Sequence, residues 1–103
     1  MSKDKVIIDI NTNQVVFSKP VTFDGVEYGF LKLDLDSLTG QDIINATNEA
    51  QALGDQSPVA ELSKTYLAVI AGKAAKVPVD MILKLSASDF TKVTITVQGL
   101  LMS

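Results

Sequence analysis

The chain has 103 residues, 47% of them apolar and 20% charged, with a formal net charge of -3. That length supports one domain with a modest core, and the apolar balance argues against wholesale disorder. The acidic balance offers no basic face to grip phosphates, and the lack of histidine and cysteine removes the commonest general base, thiolate chemistry and disulfides.

In chain order, residues 1–15 read either as a flexible N-terminus or, over Val6–Ile10, as a short β-branched strand stopped by Asn11-Thr12-Asn13. Residues 16–103 read as a single domain. Val15 to Phe23 is the first strand of a hairpin, with Val15, Phe17, Val21 and Phe23 on one parity. Asp24-Gly25 is its turn, because both central residues of a tight hairpin turn need positive φ. Pro20 lacks a backbone donor, which suits an edge strand.

The second strand, Val26 to Leu35, carries a parity conflict. Val26, Tyr28 and Phe30 share one phase, whereas Leu31, Leu33 and Leu35 share the other. A one-residue bulge near Gly29 would bring Val26, Tyr28, Leu31, Leu33 and Leu35 to one face. The alternative is a strand apolar on both faces near the turn, with Phe30 turned to a partner.

Thr39-Gly40-Gln41-Asp42 then starts a helix, with Thr39 as N-cap and Asp42 reaching back to the cap amide. Ile43, Ala46, Ala50 and Leu53 follow at helical spacing, and Gly54 ends the run. Ser57 and Pro58 read as N-cap and first residue of a second helix carrying Val59, Leu62, Tyr66, Val69 and Ile70. Pro78 breaks the chain, and Val79–Leu85 fits a helix of two turns. Ser86 and Asp89 repeat the capping-box pattern before Phe90–Leu101. There Phe90, Val93, Val97, Leu100 and Leu101 keep helical spacing while Val93–Val97 also alternates as a strand would. The cap favours helix. The expected fold class is α+β: an N-terminal hairpin, with Val6–Ile10 as a candidate third strand, followed by three to four packed helices.

Chemical motifs are scarce. Asp34, Asp36 and Asp42 fail calcium-loop spacing, since Leu38 and Thr39 occupy the third-ligand and turn-glycine positions. The serines lack a histidine base, and the six glycines are scattered rather than gathered into a phosphate loop. The chain is therefore read as no enzyme, with no cofactor and no metal. No run reaches the roughly 18 apolar residues of a membrane span, so neither membrane nor nucleic acid is an expected partner.

The ordered set Pro20-Val21, Asp24-Gly25, Tyr28, Leu31, Leu33, Leu38-Thr39-Gly40 and Asp42 resembles the opening of the tail assembly chaperones of long-tailed bacteriophages and prophages. The alanine-rich first helix, the Ser57–Ala71 segment with Leu62 and Tyr66, and Leu85–Phe90 with Val93 also look like that family, so the resemblance spans residues 16–101. It implies a non-enzymatic protein that binds the tape measure protein, a long helical chain, and keeps it soluble while the tail tube polymerises. It further implies residence in the host cytoplasm, absence from the mature virion, and contact with tail tube protein through a frameshifted longer form. A small structural tail component, such as a tube or completion protein, is the alternative. Client binding or self-association into a homo-oligomer needs exposed apolar surface, and the candidates are Phe30, Ile95, Leu100, Leu101 and Met102.

Overall fold

The computed structural model describes residues 13–57 and 63–102. The candidate strand Val6–Ile10 and the helix positions Pro58, Val59 and Leu62 lie outside those residues. The order is β1 (Asn13–Phe23), β2 (Val26–Leu33), a 3-10 turn (Leu35–Ser37), α1 (Gly40–Ala52), α2 (Lys64–Ala75), α3 (Val79–Ile82) and α4 (Ala87–Leu101). The α+β plan holds, with a two-stranded antiparallel sheet.

Asp24 (φ 53°) and Gly25 (φ 79°) both take positive φ, so the hairpin closes as a primed turn matched to the strand twist. Beyond it the register is uneven. Val21 faces Tyr28, but Val16 faces Phe30, so the four residues Phe17–Pro20 stand opposite Gly29 alone. The change of face in β2 does occur at Gly29: Tyr28, Leu31, Leu33 and Leu35 all pack on the core while Phe30 is exposed. The inserted residues, however, are in β1 rather than β2. Pro20 sits in this insertion, where no ladder donor is missed. Val26, expected on the core face, is 51% exposed; at the hairpin tip only the longer Phe23 opposite it reaches the core.

The insertion in β1 has a clear cause. Successive backbone N–H groups of a regular strand point to opposite edges. Here the N–H groups of Ser18 and Lys19 both donate to the carboxylate of Asp89, at 2.9 and 3.1 Å, and the Ser18 hydroxyl adds a third bond at 3.0 Å. Asp89 is fully buried in the first turn of α4. Lys92, one turn on, pairs with it at 3.2 Å and donates to the Val16 carbonyl at 2.8 Å. These bonds cover the outer edge of β1 with α4. The Ser18 N–H holds the Asp89 carboxyl far below the usual carboxylate range, against the opposing effect of burial, with help from the Lys19 N–H, Lys92 and the Ser18 hydroxyl. Ser86 does cap α4, accepting from the Asp89 N–H at 3.2 Å, but the Asp89 carboxylate serves β1 instead of closing a capping box.

The box expected at Thr39 is complete: Asp42 N–H donates to Thr39 Oγ1 and the Thr39 N–H donates to Asp42 Oδ2. That return bond lowers the Asp42 pKa. α2 begins at Lys64. Ser63 is extended (ψ 125°) and its hydroxyl accepts from the Tyr66 N–H, so no helix runs through it. From Tyr66 to Gly72 every residue is buried, which makes α2 the central helix, touched by α1, α3, α4 and β2. α3 is one turn rather than two; Lys84 and Leu85 donate to Met81 and Ile82 three residues back, and the chain tightens out of the helix. The conflicted last segment is helical, with Val93 and Val97 fully buried. Thr94, also buried, donates its hydroxyl to the Thr91 carbonyl.

Two positions at the end of α2 set tight limits. A Cβ on Gly72 would lie 2.9 Å from the Val77 carbonyl oxygen, which itself belongs to the turn where Val77 N–H returns to the Gly72 carbonyl. Lys76 (φ 61°) occupies the left-handed position of that turn.

Three outcomes follow for thermal unfolding. Gly72→Ala should destabilise by about 1–3 kcal/mol despite alanine's better helix propensity, because the clash is with backbone. Lys76→Gly should leave stability unchanged or raise it by up to about 1 kcal/mol, relief of left-handed strain outweighing added chain entropy. Asp89→Asn should lower Tm by more than about 5 °C at neutral pH. Since folding depresses the Asp89 pKa, its contribution is complete above about pH 4 and fades as pH falls below that value. The Tm gap between wild type and Asp89→Asn should therefore narrow below pH 4.

Candidate functional site

The clamp between β1 and α4 fixes which apolar groups remain outside. On α4, the residues at 93 and 97 turn inward, so Lys92, Ile95, Gly99 and Met102 form the opposite stripe. Ile95 is 59% and Met102 73% exposed. On the hairpin, Phe30 is 46% exposed and stands opposite Val16, itself 60% exposed. Lys92 joins the two areas, since its amine rests on the Val16 carbonyl one turn before Ile95.

The five candidate residues are thus not a single cluster. Phe30, Ile95 and Met102 are exposed. Leu100 and Leu101 are only half-buried, and Leu101 packs against the core. Val16 was missed, although its place between the inward-facing Val15 and Phe17 marks it as outward by alternation. Ile44, 57% exposed beside the half-buried Ile43, was missed in the same way on α1, where apolar neighbours blur the stripe.

Two shallow troughs flank the hairpin. One, about 290 Å³, runs along residues 27–32 of β2 against Ala75 and Val77. The other, about 250 Å³, lies at the β1 insertion between Lys19, Thr22, Lys84 and Ser86. Among the described residues no group of three or more acidic, histidine or cysteine side chains is placed to hold a metal ion, and no helix is long and apolar enough to cross a membrane. Asp34, Asp36 and Asp42 are not assembled into a site; Asp42 is committed to Thr39, and the Asp34 N–H donates to the Ala74 carbonyl at 3.3 Å. The arrangement offers apolar contact surface around a lysine junction.

No curated protein and no solved structure matches the chain. The family model described as phage tail assembly chaperone proteins, E, or 41 or 14, matches residues 14–102, from the second residue of β1 to the end of α4. That match covers all of the described residues except Asn13, and the chain belongs to the phage tail assembly chaperone family.

Proposed function

We propose that this protein binds the tape measure protein in the host cytoplasm and keeps it soluble while the tail tube polymerises. The carrying observation is the Ile95–Met102 stripe of α4, large apolar side chains left exposed on a helix whose other face is sealed into the core. Phe30 adds an exposed apolar group on the hairpin, for client binding or self-association. Methionine suits contacts that must adapt to a varied client, and an acidic net charge keeps free copies dispersed. Several copies acting along one elongated client add weak contacts by multivalency. On this reading the protein forms homo-oligomers, meets tail tube protein through a frameshifted longer form, and is absent from the mature virion.

Co-expression with the tape measure protein, followed by pull-down and mass measurement, tests this. A soluble complex with several copies per client is expected, and Ile95→Asp with Met102→Asp should weaken it at least tenfold with stability within about 0.5 kcal/mol of wild type, since both sites are exposed. Leu101→Asp should instead unfold the domain. No complex, together with the protein in purified particles, would overturn the chaperone reading in favour of a structural tail component.

A further inference from the structure

We propose that the outer edge of β2 pairs antiparallel with the same edge of a second copy of this chain. The two edges of the hairpin are treated differently. α4 covers the outer edge of β1 through Asp89 and Lys92, whereas among the described residues β2 pairs with β1 alone. A trough of about 290 Å³ follows that open edge, floored by Ala75 and Val77. Open strand edges are templates for pairing, and proteins commonly blunt them. Among the described residues no proline and no hydrogen bond blunts this one; its protection is the charge of Glu27 and Lys32.

The sequence of the edge selects its partner. A two-fold axis between Gly29 and Phe30 sets Glu27 opposite Lys32 of the second copy, Tyr28 opposite Leu31 of the second copy, and Gly29 opposite Phe30 of the second copy. Directly opposed residues must lie on the same face of a sheet. In a regular strand positions 27 and 32 are on opposite faces, so this register is forbidden. The change of face at Gly29 permits it: Glu27 and Lys32 are both exposed, while Tyr28 and Leu31 both pack on the core side. Each dimer then gains two Glu–Lys pairs, and each half-exposed Phe30 covers the bare backbone of a glycine. Glu27 and Lys32 have no ion-pair partner among the described residues. The self-complementary charge order commits the edge to a second copy. In this arrangement Phe30 belongs to self-association, which leaves Ile95 and Met102 for other contacts.

Sedimentation equilibrium of the full chain at low salt, over a dilution series, tests the pairing without any tail protein present, so its outcome is separate from that of the tape measure reading. A monomer–dimer equilibrium is expected. Glu27→Lys and Lys32→Glu should each weaken it by about tenfold, because each creates two like-charge oppositions. The double variant E27K/K32E should restore the wild-type constant to within about threefold, as swapped pairs attract again. Circular dichroism melts of all three check that folding is intact. A monomer throughout, single variants that dimerise like wild type, or a double variant no better than the singles would each overturn the proposal. So would a monomer whose residue 27–32 amides resist hydrogen exchange, which would assign the edge to another occupant.

Discussion

The structure depends on one carboxylate. Asp89 gathers two consecutive backbone N–H groups of β1, the Ser18 hydroxyl and Lys92 of its own helix, and a regular strand cannot turn two consecutive N–H groups to one edge. The insertion at Phe17–Pro20 is the geometric consequence, and the altered face of β2 accompanies it across the ladder. A buried charge is tolerated only when it is paired and hydrogen-bonded, and here its backbone donors lie 70 and 71 residues away in sequence. The bond set therefore fixes the hairpin against α4.

Around that clamp the packing is simple. α2 runs through the middle, buried on all sides from Tyr66 to Gly72, and the other elements spend their apolar faces on it. Small residues make this possible. Ala46 and Ala50 of α1 and Ala68, Ala71 and Ala74 of α2 are buried and let the helices approach closely, while Gly72 lets the chain double back onto α2 through Val77. With the core satisfied in this way, Ile95, Met102, Val16 and Phe30 are surplus to it. Exposed apolar groups at a defined junction are the physical content of a binding surface.

Much of the fold is legible in the residues because it rests on local chemistry. Asp24-Gly25 dictates its turn, Thr39 with Asp42 dictates the start of α1, and Ser86 tips Phe90–Leu101 to helix although Val93–Val97 alternates like a strand. The misses share a cause too. Asp89 occupies a position where a capping box is the local reading, and only the folded chain brings Ser18 and Lys19 to compete for its carboxylate. The parity shift in β2 shows that an irregularity exists but not which strand holds the extra residues. Ser63 opens α2 by accepting from the Tyr66 N–H, a cap with no acidic residue three positions on to mark it in the sequence. Of the site, Ile95 and Met102 were readable as residues off the main stripe, whereas Leu101 fits the stripe and is absorbed by the core, and Val16 was hidden in a run of apolar neighbours.

Membership of the phage tail assembly chaperone family gives this architecture its setting. A clamp that holds β1 and α4 together also holds the lysine junction and the apolar groups on either side of it in one arrangement. The most direct test of that clamp is an NMR titration following the Asp89 carboxyl carbon together with the Ser18 and Lys19 amide protons. The account predicts that all three report one common titration, with a midpoint well below the ordinary value of about 3.9 for an aspartate. An Asp89 midpoint near the ordinary value, or amides of Ser18 and Lys19 indifferent to it, would contradict the account.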